Sequence, residues 1–444
     1  MGAAVESLTK LLESEDRYDI PYSELLPRQL EAANERFQER RNAIKLVANR
    51  AETGNINEIR SLDNVVPLLF AHTTYKSYPE PWFTQGKWDR MGKWLDTLST
   101  NRVEGINLDN VTDVDDWLRR LETNGHFVAA SSGTTGKCSM ANASQTDLNF
   151  VHRHTGKLFG WTTGIPMDKR YRGYGLAAVP PTKRNRASSG GVMDNFTHAT
   201  NPFPTEAMTV GAVSRMVALR RSVADGTARP ADIADYDAKV ASREQALEKA
   251  ITNTAESIVA NRGDKLLFLG MFAMIYRIVE RIREMGYSKK DFNADNALYV
   301  GGGLKGAKLP ADYREQIVET LNIRHICQHY AMQEINTQAP RCAGGRYHLA
   351  PWVMPLILDE PGEKLVGAPK GEVEGRAAFF DLSLDGRWGG VISGDKIHVN
   401  FGKCACGRQG PTVGADVVRY ADLKGGADKI TCAGTIDAYI RGVT

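Results

Sequence analysis

Apolar and polar positions in the first 125 residues follow helical spacing. Leu26 to Asn49 sets Leu30, Phe37, Ile44 and Leu46 among many charges, which predicts a surface helix with one apolar stripe. Asp113 or Asp115 is a candidate cap for a short helix through Trp117 and Leu121, closed by Asn124-Gly125. The tryptophans and tyrosines between Tyr75 and Trp94 read as core aromatics, because large rings dominate burial.

From His126 the pattern changes. Phe127-Val128-Ala129-Ala130 is a short strand-like run emptying into Ser131-Ser132-Gly133-Thr134-Thr135-Gly136-Lys137. Tyr174 to Val179 is another such run, followed by a Pro-, Arg- and Ser-rich loop from Pro180 to Gly191. Ser222 to Lys265 is polar and mostly helical, and Lys265 to Met285 reads as a long apolar-faced helix. Ala297 to Val300 is a strand ending in Gly301-Gly302-Gly303, Ala311 to Leu321 the next helix, and Ile323 to Gln328 a strand leading into Tyr330-Ala331-Met332-Gln333-Glu334. Strands alternating with helices predict an α/β core. Beyond Trp352 the pattern is short strands with Gly and Asp turns. The division expected is a mainly helical part over 1–125, an α/β core over 126–350, a β-rich subdomain over 351–427 and a hinge stub over 428–444.

Composition narrows the class. With 444 residues, 42% hydrophobic and 25% charged, the chain has the make-up of a globular protein large enough for two or three domains' worth of core. A net charge of +3, from 56 basic and 53 acidic side chains, is too small to imply nucleic acid or an anionic membrane as main partner. The most apolar stretch, Leu266 to Val279, is broken by Arg277 and too short for a membrane span. Met1 to Lys10 shows no secretory pattern, Glu6 stands where myristoylation wants Ser or Thr, and six cysteines over this length form no disulfide framework. A cytoplasmic enzyme is the expectation.

Ser131 to Gly136 packs four hydroxyls and two glycines into six residues, and Lys137 adds a positive charge. Hydroxyls and free backbone N–H groups suit a polyphosphate, and glycine lets the backbone approach it. A Walker P-loop is disfavoured, because only Thr134 and Thr135 separate Gly133 from Gly136. The bland alternative is a flexible Ser/Gly loop.

The segment Ser131 to Lys137 resembles the signature phosphate loop of the adenylate-forming superfamily, which includes acyl-CoA synthetases and luciferases. Gly301-Gly302-Gly303 resembles the glycine turn lining the adenine pocket. Tyr330-Ala331-Met332-Gln333-Glu334 resembles Tyr-Gly-x-Thr-Glu, whose tyrosine faces adenine and whose glutamate helps hold Mg2+. Ser393-Gly394-Asp395 resembles the Thr-Gly-Asp whose aspartate binds the ribose hydroxyls. Within the superfamily, the likeness is nearest to phenylacetate-CoA ligases and to the acyl-protein synthetases of bacterial luminescence. Gly301 to Lys305, Cys404-Ala405-Cys406-Gly407-Arg408 and the hinge-like Asp428 to Gly434 carry it. Ala331 and Gln333 replace a glycine and a hydroxyl residue. Ser139 stands where many members have a second lysine, and Gly425 where the hinge arginine falls, with Arg419 or Lys424 as candidate replacements.

The resemblance implies a large α/β adenylate-forming domain of two sheets wrapped by helices, with parallel strands around Ser131 and Gly301, a β-rich subdomain and no complete mobile C-terminal domain. It implies ATP-dependent activation of a carboxylic acid to an acyl-adenylate with release of pyrophosphate, then thioester formation. Ser131 to Lys137, Gly301 to Gly303, Tyr330 to Gln333 and Asp395 would bind ATP, Glu334 would hold Mg2+, and Glu334 and Lys137 would be catalytic. The acceptor stays open between CoA, a carrier-protein thiol, an own cysteine such as Cys432, and an amine. A catalytically impaired acyl- or nucleotide-binding module, or an adenylation domain feeding amide formation, are the alternatives. Neither nucleic acid nor membrane is an expected partner; a second copy of the chain is a candidate one. The segments Lys265 to Arg283 and Ser188 to Asn195 are candidate walls of the acyl pocket.

Cys342-x5-His348 and Cys404-x-Cys406 supply three thiols and one imidazole in two pairs, a soft four-ligand set of the kind structural zinc favours. The alternative is buried thiols with a surface histidine. Cys327 reads as an inert core residue and Cys138 as incidental. Among His325, His329 and His398, only His329 falls beside the expected nucleotide.

Overall fold

The structure, a computed structural model, describes residues 2–130, 137–176, 182–205, 209–304, 307–423 and 430. The stripe expected over 26–49 is two helices, Tyr22–Arg40 and Lys45–Thr53. The chain breaks between them because Ile44 is extended (φ −108°, ψ 107°). Helix Val114–Thr123 is capped by the Asp113 carboxylate, which accepts from Asp116 N at 2.9 Å. It stops at Asn124, before Gly125 in the left-handed region (φ +84°). Tyr75, Tyr78, Trp82, Trp88 and Trp94 are all buried, as their size leads one to expect.

The strands are, in chain order, β1 (Phe70–Ala71), β2 (Phe127–Ala130), β3 (Met140–Ala143), β4 (Tyr171–Leu176), β5 (Thr197–Asn201), β6 (Leu266–Gly270), β7 (Asn296–Gly301), β8 (Ile323–Tyr330) and β9 (Ala339–Pro340), then β10 (Tyr347–His348), β11 (Val353–Leu358), β12 (Glu372–Asp381), β13 (Gly390–Asn400), β14 (Thr412–Val413) and β15 (Val418–Arg419). Six of them form a sheet in the order β5-β4-β6-β7-β8-β9, parallel except for β9. One face packs on helices Pro230–Ala260, Phe272–Glu284 and Tyr313–Thr320, and the other on helices Gln145–Thr163 and Lys183–Phe196. Helices on both faces are what a parallel sheet requires. A seven-stranded, mostly antiparallel sheet runs β10-β14-β13-β12-β11, with β1 and β15 also on β13, and shares its core with the N-terminal helices. The chain is thus mixed α/β with several sheets. No described helix is long and apolar enough to cross a membrane.

Three expectations change. Residues 265–285 are not one helix: Leu266–Gly270 is the central strand β6, and helix Phe272–Glu284 follows after the extended Met271. A strand buried on both faces reads as a continuous apolar run, which periodicity cannot separate from a buried helix. The stretch taken as a loop to Gly191 is helical from Lys183 to Phe196. Its glycines serve packing, since a Cβ at Gly191 would lie 2.1 Å from the His152 carbonyl oxygen on the neighbouring helix. Parallel pairing holds at Gly301, but β2 and β3, flanking 131–136, pair antiparallel.

Candidate functional site

The carboxyl ends of the parallel strands come level, with Leu176 opposite Gly270, Gly270 opposite Val300 and Gly301 opposite His329. That edge is where open α/β sheets place their ligands. The glycines there do different things. A Cβ at Gly301 would sit 2.2 Å from His329 Nε2, so position 301 is small because the imidazole occupies its space. Gly302 turns the chain with φ +77°. His329 is buried and stacked on Tyr299, centroids 4.6 Å apart, and its Nδ1 has no hydrogen-bond partner among the described residues. Burial pushes this imidazole down to about 4, so it is neutral at neutral pH.

Tyr330 ends β8, and its hydroxyl donates to Asp395 Oδ2 at 2.8 Å. Burial raises the phenol well above its ordinary range, and the Asp395 carboxylate adds to the effect. Asp395 lies on β13, and its N–H donates to Ser393 Oγ at 3.0 Å. Across the ladder stands Arg419, with Nε 3.8 Å from Asp395 Oδ1. Of the two candidates for the hinge arginine this one reaches the site; Lys424 lies outside the described residues. Gln333 Nε2 donates to the carbonyl of Ala130 at 3.5 Å, which ties the Tyr330–Glu334 segment to the last residue before Ser131. The structure therefore brings together Gly301, Tyr330 to Glu334, Asp395 and the stem of the Ser/Thr loop. Ser131 to Gly136 themselves, Lys305, Cys432 and the Asp428–Gly434 segment apart from Ile430 lie outside the described residues. Lys137 lies against the aromatic group instead: Nζ donates to the Tyr78 carbonyl at 2.9 Å and stands 5.6 Å from that ring's centroid.

Sequence reasoning passed over the buried ionic groups behind Glu334. Asp381 Oδ2 accepts from the N–H groups of Asn336 (2.9 Å) and Thr337 (3.0 Å), and Oδ1 from Ser383 N (3.0 Å) and Oγ (2.6 Å). Burial raises its pKa against the pull of its hydrogen bonds to Ser383 and Thr337. Asp147 accepts from Asn336 Nδ2 at 2.7 Å, and Arg184 Nη2 donates to Asn336 Oδ1 at 3.2 Å. Arg387 donates through Nη2 to the carbonyls of Gln333 and Glu334, both at 3.0 Å. No spacing announces such residues, because their partners are backbone groups that every residue carries, or side chains brought together only by the fold.

Away from this edge, Cys342, His348, Cys404 and Cys406 converge, with their ligand atoms all within 4.8 Å of one another. Each cysteine pair member is presented by the same turn. Cys342 N donates to Arg346 O (2.9 Å) and Gly345 N to Cys342 O (2.9 Å); Cys404 N donates to Arg408 O (2.8 Å) and Gly407 N to Cys404 O (2.9 Å). Gly345 (φ +79°) and Gly407 (φ +97°) make both turns possible. Cys342 Sγ and Cys404 Sγ are 3.8 Å apart, and His348 Nε2 and Cys406 Sγ 3.2 Å. A tetrahedral zinc with bonds of about 2.3 Å to sulfur spaces its sulfurs by about 3.8 Å, so the donor set fits this ion. Burial pushes His348 down to about 4, which keeps it in the neutral, ligating form. Arg408, beside Cys406 Sγ at 3.9 Å, supplies a positive charge next to the three thiols.

The remaining candidates fall elsewhere. Cys327 is fully buried, and burial pushes its thiol up to about 12. Cys138 is buried against Ser214 Oγ at 3.2 Å. His325 pairs with Asp295 and His398 with Glu374. Ser188 Oγ accepts from Gln338 Nε2 at 3.2 Å, close to Tyr299, whose hydroxyl donates to Gln338 Oε1 at 2.5 Å.

No protein-family profile and no curated protein matches the chain. Among solved structures it is similar to a natural red-emitting luciferase from Phrixothrix hirtus, at 14% identity and a TM-score of 0.34, over 61% of this chain and 42% of that one. It is also similar to NpsA-ThdA, an artificially fused adenylation–PCP di-domain from Klebsiella oxytoca, at 7% identity and a TM-score of 0.32, over 62% of this chain. The chain spans 42% of the length of each of these structures.

Proposed function

We propose that this chain activates a carboxylic acid as its acyl-adenylate, using ATP and Mg2+, and passes the acyl group to the thiol of CoA or a carrier protein. One observation carries the reading: Tyr330 and Asp395, 65 residues apart, share a hydrogen bond at the level edge of a parallel sheet, beside Gly301 and the stem of the Ser/Thr loop. Three of the stretches singled out for one chemistry, around Gly301, Tyr330 and Asp395, support this reading by lying together beside Ala130, the residue that precedes the fourth.

A carboxylate is a poor electrophile, and its attack on the α-phosphate of ATP replaces oxide with a better leaving group. Little covalent work falls to the protein in such a step; positioning and charge neutralisation do most of it. Asp395 accepts the ribose hydroxyls, held in place by Tyr330 and faced by Arg419. The loop from Ser131 to Gly136 cradles the phosphates, with Lys137 at its end. Mg2+ at Glu334 supplies neutralisation of phosphate charge. The set Cys342, His348, Cys404 and Cys406 would hold zinc with protein ligands alone, and such a metal would serve the fold and not the chemical step.

Titration calorimetry with MgATP tests the assignment. Asp395→Ala removes an acceptor for two charge-assisted bonds worth about 1.5–3 kcal/mol each, so affinity should fall at least about tenfold. Unchanged affinity would remove Asp395 from the site.

A further inference from the structure

We infer that Arg387 is a positioning residue for Glu334: one buried guanidinium sets the distance between the strand leaving the Ser/Thr loop and the segment that carries the carboxylate. The inference rests on the reading of Glu334 as the Mg2+ ligand. Arg387 is 1% exposed. Nη1 donates to the carbonyl of Asn142 on β3 at 2.6 Å, while Nη2 donates to the carbonyls of Gln333 and Glu334. Strand β3 begins at Met140, four residues after Gly136, so a single planar group ties the strand that follows the Ser/Thr loop to residues 333 and 334. Among the described residues no carboxylate lies within ion-pair distance of it, and three carbonyl dipoles meet its charge. Burying a cation in this way is costly, and a rigid two-ended fork is what the cost maintains.

The opposite grip comes from Asp381. It takes the N–H groups of Asn336 and Thr337, and Trp352 Nε1 donates to Thr337 Oγ1 at 2.8 Å. Residues 333–337 are therefore suspended between a cation on the carbonyls and an anion on the amides. Hydrogen bonds thus hold the backbone on both sides of Glu334. A core residue serving stability alone has no reason to divide its bonds between these two segments. Its loss would lower stability without touching the metal dependence of nucleotide binding.

The test is a double-mutant cycle on purified full chain, using Arg387→Lys and Glu334→Gln, with MgATP titrated by calorimetry and melting followed in parallel. Lysine keeps the charge and loses the fork. Support partners of metal ligands typically matter by tenfold or more, so Arg387→Lys should weaken MgATP binding about tenfold. In the Glu334→Gln background the same change should matter less than about twofold. The drop in melting temperature should be equal in both backgrounds. Equal loss of affinity in both, or no loss in either, would overturn the inference. If Arg387→Lys does not fold, Asp381→Asn takes its place with the same expected pattern. Wild-type protein that binds no MgATP would overturn the Mg2+ reading and this inference with it; wild-type binding with additive mutants would overturn this inference alone.

Discussion

At position 301 an added methyl would meet His329 Nε2 at 2.2 Å, within a buried stack on Tyr299. Gly301→Ala should therefore destabilise by about 1–3 kcal/mol, the usual cost of overpacking. Combining it with His329→Ala should recover most of that loss in urea unfolding; purely additive losses would show that the ring does not set the glycine. Side chains with distinctive chemistry were the ones the sequence singled out at this scale. Tyr330 and Asp395 were singled out by resemblance to family motifs and the Cys/His pairs by their residue types, and the structure brings each set together. Arg387 and Asp381 were not legible, because they grip backbone amides and carbonyls. The reach of Arg419 to Asp395 was half legible: sequence offered two cations, and the antiparallel register of β13 and β15 places Arg419 across from the carboxylate.

Elements were read correctly where one face alone is buried or a cap is present, as in helix Val114–Thr123 with Asp113. They were misread where burial is complete. Leu266–Gly270 has no polar alternation because helices cover both faces of its sheet, so it merged with the helix after it. The Ser- and Gly-rich stretch of helix Lys183–Phe196 looked like a loop because its small residues, chosen for close helix crossing, carry no period. The two Cys–Gly turns are the element whose function is most open to test. If they hold zinc, metal bound only by the folded chain adds its binding free energy to stability. Protein purified without added metal should contain about one zinc per chain by elemental analysis. Cys404→Ser should at least halve that content and lower the melting temperature by several degrees. Metal-free wild-type protein with the same melting temperature as the mutant would dismiss the centre.

Across the whole molecule, stability should fall on mild acidification. Burial pushes His154 down to about 3 and His329 to about 4, whereas an unfolded chain titrates them near about 6.5. Below about pH 6.5 the unfolded state thus binds protons that the folded state refuses until the pH reaches the folded values. Each group then costs about 1.4 kcal/mol per pH unit in that window. Unfolding free energies measured in urea at pH 7 and pH 5.5 should differ accordingly, and a flat profile would contradict the buried neutral pair. The same assembly of a parallel sheet, an antiparallel sheet and the joint between them places Tyr330 against Asp395. The chemistry proposed for this joint is the formation of acyl-adenylates. Reversible adenylate formation moves label from pyrophosphate into ATP only when the acid is present. Exchange of radiolabelled pyrophosphate, run over a panel of carboxylic acids with Mg2+, should show acid-dependent label in ATP that disappears in Asp395→Ala. No exchange with any acid, or exchange indifferent to the acid and to Asp395, would contradict it.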